Sequence, residues 1–350
     1  MTALSINLDA TIDFLIGLLN TPSPTGYHVE AIDYCRRAFE GLNIPNLTIR
    51  ETGKGALLLT LPGAASDARR GVTAHVDTLG LMVKEIKENG RLRLSQLGGF
   101  AWNAVEGEGV TIRTHDNRRY RGTVQIVNPS AHVNPTLRTA ERTAENMEVR
   151  LDAKTTKPEE TRALGIEVGD FVFLDPRVEV TDTGFIRSRH LDDKACVANI
   201  YGALLALRDA GVQPAQDTAF LIANYEEVGH GGSSGWPFEL AELLAIDMGA
   251  IGEAQNSDEF SVSICVKDGG GPYHFDMNNK LRALAVEHNI AYKTDIYVFY
   301  SSDGTAYWRS GGDAKVGLIG PGVEGSHSYE RTHKDAMLHT THLLAQYLIS

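Results

Sequence analysis

Cysteine is scarce in this 350-residue chain, which holds three: Cys35, Cys196 and Cys265. They form no CxxC pair and their count is odd, so they read as buried thiols in a reducing compartment and not as a disulfide framework. Basic charge is in deficit too. Lys and Arg number 33 against 45 Asp and Glu, a formal net charge of −12. No basic stripe is left to neutralise phosphates, which argues against a nucleic-acid partner. Arg36-Arg37, Arg69-Arg70 and Arg118-Arg119 are scattered pairs suited to a solvated surface. Long apolar runs are missing, and Asp9 and Asp13 interrupt the N-terminal one, "MTALSINLDATIDFLIGLLN". That segment reads as an amphipathic helix, not as a signal peptide or membrane span, so a cytoplasmic location without a membrane partner is expected. There is no repeat or low-complexity tract, and "DGGGP" lacks the pattern of a phosphate-cradling loop.

What is present is an ordinary globular composition, long enough for two domains or for one domain carrying an insertion. Residues 7–20 and 27–42 have helical spacing of apolar positions, and "ALLLTL" and "GVTAHV" have the texture of buried strands. From about residue 79 to 177 the runs become short and often alternating: "LGLMVKEI", "RLRLSQL", "GVTIRT", "YRGTVQIV", "MEVRLDA", "DFVFLD". This predicts a small barrel or sandwich, interrupted by the polar "HVNPTLRTAERTAENM" and inserted into an α/β domain. Beyond about 185 the α/β texture resumes. "DDKACVANIYGALLALRDAG" is a helix on which Cys196 is a core residue, "TAFLIAN", "LLAID", "FSVSICV" and "AKVGLIG" are strands, "NNKLRALAVEHN" and "KDAMLHTTHLLAQYLIS" are helices, and "KDGGGP" is a flexible loop.

Acids and histidines gather at the ends of these elements. "TAHVDTLG" ends a buried strand in His75-Val76-Asp77, where residues two apart share one side; His75 can ligate a metal while Asp77 holds the ring, directly or through its surroundings. "SRHLDDKAC" puts Asp192 at a helix N-terminus. "ANYEEVGHGG" puts Glu226 and Glu227 after a strand, "LAIDMG" puts Asp247 after another, and "GPGVEGSHSYERTH" puts His327 in a glycine-rich loop. Each has a plainer reading alone: Asp192 or Asp193 as a helix cap, the glutamates and His327 as solvated surface. Together they lie where open α/β sheets bind ligands. They form the nitrogen-and-oxygen set expected for two zinc-like ions sharing a carboxylate. Of the adjacent pair Glu226-Glu227, one would ligate and the other act as base, provided the backbone turns there. His339 and His342 read as structural. His190, His230, His274 and His333 lie near the motifs as further pocket candidates.

"AHVDTLG", "LDDK", "EEVG", "AIDMG" and "SHSYE" resemble, in order and separation, the five site motifs of the cytosolic di-metal aminopeptidases that include the tetrahedral aminopeptidases, glutamyl aminopeptidase and proteins once named cellulase M. The likeness spans nearly the whole chain. It implies a zinc-exopeptidase-like three-layer α/β/α catalytic domain, residues 1–78 and 178–350, with an inserted small PDZ-like β domain, residues 79–177, that mediates assembly into homo-oligomers, often dodecamers. It also implies that His75 and Asp247 hold one divalent ion and Glu227 and His327 the other, that Asp192 bridges them, that Glu226 is the general base, and that Asp77 orients His75. The ions would be zinc, with cobalt and manganese also acceptable to this ligand set, and the substrate a peptide or small amide. Lys194 stands where the family usually has Arg. "KDGGGPYHFDMNNK" and "FYSSDGTAYWRSGGD" also depart from its pattern, resembling a bacterial branch associated with the osmolyte N-acetylglutaminylglutamine amide. The expected activity is metal-dependent removal of N-terminal residues from short peptides. A deacylase or carboxypeptidase on a small amide is the alternative within the same chemistry. A scaffold has no need of a free base, and a glycosidase needs a flanking carboxyl pair that these ligands do not supply.

Overall fold

The computed structural model describes residues 4–350. Residues up to Asp77 and from Arg177 to Ser350 form one compact unit, and Thr78–Pro176 forms a second.

The first unit opens with two helices, α1 (Leu8–Leu19) and α2 (Val29–Gly41), followed by strands β1 (Thr48–Glu51), β2 (Leu57–Leu61) and β3 (Ala65–His75). Asn7 starts α1 by accepting the Ala10 N–H on its side-chain oxygen at 3.1 Å, satisfying a donor that the first helical turn leaves unpaired.

In the second unit, β4 (Gly80–Ile86), β5 (Leu92–Leu97), β6 (Gly109–Arg113), β7 (Arg119–Ile126), β8 (Met147–Leu151) and β9 (Phe171–Leu174) close into a barrel in the order β4-β5-β8-β7-β6-β9. Alternate residues fill it: Leu81 and Val83, Leu92 and Leu94, Val110 and Ile112, Val124 and Ile126. The period of two in the sequence is thus the inside-outside alternation of a small barrel. One buried acid, Glu148, is paired with both Lys87 and Arg91. A short helix, α3 (Pro158–Ala163), precedes β9.

On return to the first unit the chain forms β10 (Glu179–Val180), β11 (Phe185–Ser188), helix α4 (Leu191–Ala210), β12 (Gln216–Ala223), β13 (Glu242–Ile246) and β14 (Gly249–Ile251). Then come β15 (Val262–Asp268), β16 (Gly271–Pro272), α5 (Phe275–Glu287), β17 (Tyr292–Ile296), α6 (Asp303–Arg309), β18 (Lys315–Glu324), β19 (Glu330–His333) and α7 (Lys334–Ile349). Thirteen strands make one mixed sheet whose main path is β1-β2-β12-β3-β13-β18-β19-β11-β10. β12, β3, β13 and β18 run parallel. The chain leaves β3 for β12 on one side and reaches β13 on the other, so β3 marks a switch in strand order, where open sheets form a ligand crevice.

One face of the sheet carries Val72, Ala74, Phe220, Ile222, Leu244, Ile246 and Ile319 beneath α1, α2, α4, α5 and α7. The other carries Leu243, Ala245, Val316 and Leu318 against Tyr273, Tyr297 and Tyr307 of α6 and its neighbouring loops. The second covering layer is therefore thin, with α6 as a seven-residue helix. α1, α4 and α7 meet at Gly202, where a Cβ would lie 2.4 Å from the Thr11 hydroxyl and 3.0 Å from the Thr341 methyl. Gly211, left-handed at φ 65°, ends α4. The expected flexible loop "KDGGGP" is instead a tight hairpin in which Gly271–Pro272 pairs back on β15. No described helix is long and apolar enough to cross a membrane.

Candidate metal centre

Three strands end side by side in acids or histidine because each spends its apolar residues in the core and turns polar where the sheet stops. His75 is the last residue of β3, Glu226 and Glu227 follow β12, and Asp247 follows β13. Asp192 lies at the start of α4 in a non-helical backbone, as does Asp193, so regular helix begins after the pair. His327 sits between β18 and β19 with a left-handed backbone, φ 62°.

These side chains converge in two groups. Ligand-capable atoms of His75, Asp192 and Asp247 lie within 4.8 Å of one another, and so do those of Asp192, Glu227 and His327. Asp192 belongs to both groups: one carboxylate oxygen is 3.3 Å from His75 Nε2 and the other 3.5 Å from His327 Nε2. Glu227 Oε2 is 3.6 Å from His327 Nε2, and Glu226 Oε2 is 3.6 Å from His75 Nε2.

The supporting contacts are as specific. His75 Nδ1 faces the main-chain carbonyl of Asp77 at 2.8 Å, while the Asp77 carboxylate is 3.6 Å away. The ring is thus aligned by the Asp77 backbone. The carboxylate has a different job: it accepts from the Thr25 hydroxyl at 2.8 Å and from the Glu226 and Glu227 amides at 3.1 and 3.4 Å. It holds the turn, with Tyr225 at φ 77°, through which both glutamates reach the same cleft.

Three further acids escaped the sequence reading as members of this centre. Asp193 accepts the His75 N–H at 3.1 Å. Glu330 accepts the Asp192 N–H at 3.0 Å and the His327 N–H at 3.2 Å, tying two loops together. Asp303 accepts the Gly232 N–H at 2.5 Å and the Thr73 hydroxyl at 3.3 Å, anchoring the loop after Glu227. Their work is to receive main-chain amides, whose directions no residue pattern reveals. The one available signal was "SHSYE", in which Glu330 closes a quoted motif.

Other expectations resolve away from the centre. Lys194 is buried and donates to the carbonyls of Leu18 and Thr21 at 3.1 and 2.6 Å, closing the C-terminal end of α1. His230 stacks on Tyr225, and His333 caps α7 by accepting the Asp335 N–H. None of His190, His230, His274 and His333 lines the cleft. Cys196 is a core residue.

Electrostatically the cluster is short of positive charge. Burial pushes the carboxyls of Glu226, Glu227 and Asp247 up, and neighbouring acids push them further. Burial alone would raise Asp192 and lower His75; contact with His327 and His75 instead holds the Asp192 carboxyl below its usual range, and Asp192 with the surrounding acids holds the His75 imidazole well above its own. Among the described residues, buried Glu227 Oε1 has no hydrogen-bond partner. An oxygen left bare in a crowd of acids, with imidazoles interleaved, fits hard-to-borderline divalent cations. The centre opens into a cleft of about 580 Å³.

The comparisons with known proteins show the family. The model of the family described as M42 glutamyl aminopeptidase matches residues 55–343. The putative aminopeptidase YhfE of Bacillus subtilis is 48% identical over 340 residues, 97% of each chain. Lysyl aminopeptidase of Pyrococcus furiosus is 25% identical over 230 residues, 65% of this chain and 64% of its own. Among solved structures, a TET aminopeptidase from a marine sediment Thaumarchaeota archaeon superposes with a TM-score of 0.88 at 17% identity, covering 98% of this chain and 96% of its own. The Pyrococcus horikoshii TET1 peptidase, which assembles into a tetrahedron or a large octahedral shell, gives 0.84 at 19% identity, covering 97% and 99%. The chain belongs to the M42 glutamyl aminopeptidase family and is a metallo-aminopeptidase, a hydrolase.

Proposed function

We propose that the protein removes N-terminal residues from short unblocked peptides at a two-metal centre, with Glu226 as the general base. The observation that carries the reading is the pair of ligand groups sharing Asp192, with Glu226 beside them and in neither. His75 and Asp247 would hold one divalent cation, Glu227 and His327 the other, and Asp192 both. Bound there, two such cations supply Lewis acidity toward a carbonyl and acidify water near neutral pH. Zinc suits the nitrogen-and-oxygen donors, and cobalt and manganese share that preference.

Glu226 is left to handle protons. Its carboxylate takes one from the attacking water as the water oxygen bonds to the scissile carbonyl carbon. It then delivers that proton to the departing amine as the C–N bond breaks. Asp77 acts by position: one residue aligns the His75 ring through its carbonyl and sets the Glu226-Glu227 turn through its carboxylate. Catalysis resides in the unit containing this centre, and Thr78–Pro176 serves assembly into homo-oligomers. What supports homo-oligomer formation is the recorded dodecamer of the structurally similar PhTET1.

The test compares wild type with Glu226→Gln, at matched content of zinc, cobalt or manganese, on unblocked and N-acetylated di- and tripeptides. Release of free amino acid from unblocked peptides, falling by about 10²- to 10⁴-fold in the variant, is expected. Cleavage of the acetylated substrates alone would make the protein a deacylase of small amides instead.

A further inference from the structure

One wall of the cleft, which borders the metal centre at Asp247 through Met248 and Tyr300, has a chemistry of its own. It is formed by Met248, Gln255, Tyr297, Val298, Phe299 and Tyr300, and among the described residues no Lys or Arg lines the cleft. The carboxylates that do line it are Asp192, Glu226, Glu227 and Asp247, all engaged in the proposed centre.

Both tyrosines line the cavity with their hydroxyls already used within the protein. Tyr297 shares a 2.6 Å hydrogen bond with Ser257, and Tyr300 donates to the Met248 carbonyl at 3.0 Å. The wall is held from behind by buried Asp295, which accepts the amides of Asn256 and Ser257 and the Ser257 hydroxyl, each at 2.8 Å, and the Gln255 side-chain amide at 3.1 Å. At the mouth, Val298 is 61% exposed and Phe299 fully exposed, apolar surface that the described chain does not cover.

A glutamyl side chain packed on this wall would lose water and meet no Lys or Arg to pair with. A lysyl side chain would find no uncommitted carboxylate. An uncharged apolar side chain loses nothing on entry and covers Val298 and Phe299, gaining about 25 cal/mol per Å². We propose that the cleft selects peptides whose N-terminal residue is uncharged and apolar and discriminates against both glutamyl and lysyl peptides. This rests on the aminopeptidase reading and departs from the specificities named in the family description and in the Pyrococcus furiosus relative.

The experiment uses the metal-loaded enzyme and four unblocked dipeptides, Leu-Ala, Phe-Ala, Glu-Ala and Lys-Ala. Calorimetric binding of free L-leucine, L-glutamate and L-lysine runs in parallel as a readout independent of turnover. Leu-Ala and Phe-Ala should exceed Glu-Ala and Lys-Ala in kcat/KM by at least about tenfold, and leucine should bind more tightly than glutamate or lysine. Val298→Lys, an exposed position that tolerates charge, should lower the Leu-Ala to Glu-Ala ratio at least about tenfold. Phe299→Ala should weaken Phe-Ala more than Leu-Ala. A preference for Glu-Ala or Lys-Ala, a flat profile, or an unchanged ratio in Val298→Lys would overturn the assignment. If no dipeptide is cleaved but leucine still binds selectively, the aminopeptidase reading falls and the apolar pocket stands.

Discussion

Gly320 shows how narrowly Asp247, a proposed ligand, is placed. A Cβ there would lie 1.9 Å from the Asp247 carbonyl oxygen, and the contact is with backbone, which cannot rotate away. Gly320→Ala should displace Asp247 while leaving the sheet formed. We expect metal affinity at that site to fall about 10- to 100-fold, the scale seen when support around a ligand is disturbed, measured by equilibrium dialysis with an unchanged far-UV circular dichroism spectrum. At this scale the sequence was most readable where charge is out of place: His75, Glu226, Glu227 and Asp247 stand out because an acid or imidazole closes an otherwise apolar run. Asp193, Asp303 and Glu330 did not, since each accepts main-chain amides brought to it by distant segments. Asp77 was noticed for the right neighbourhood, but its two functions divide between carbonyl and carboxylate, a distinction that only geometry makes.

Elements were legible in proportion to length and to the apolar residues they carry. α4 covers 20 residues and ends on Gly211, so both its body and its stop are written in the residues. β17, "YKTDI", has Asp295 as its one buried residue, and that residue is polar, so it carries no strand signal. β19, four polar residues, was missed for the same reason, and α6 is a seven-residue helix too short to show a helical period. The crossing of α1, α4 and α7 at Gly202 is a tertiary fact resting on one missing side chain. Gly202→Val should force Thr11 and Thr341 apart and destabilise the fold by about 1–3 kcal/mol, measured by urea denaturation. The metal centre is not in contact with Gly202, so kcat below the unfolding transition should stay near wild type.

For the whole molecule, metal and stability should be linked. The buried acids of the centre repel one another, and cations that bind only the folded state add RT ln(1 + [L]/Kd) to its stability, about 2.7 kcal/mol at a hundredfold excess over Kd. Chelation should therefore lower Tm by on the order of 5 °C, with recovery on adding zinc back; an unchanged Tm at confirmed metal loss would break the link. The alternating runs of residues 79–177 announced a small β structure, and closure was the undecided alternative between barrel and sandwich. That closure limits how the unit can meet another chain. A ring of paired strands has no spare backbone edge to lend, so it cannot recruit a neighbour by extending its sheet. Any association through it must run over side chains and loops, where a single surface substitution can strengthen or dissolve a contact without templating uncontrolled growth.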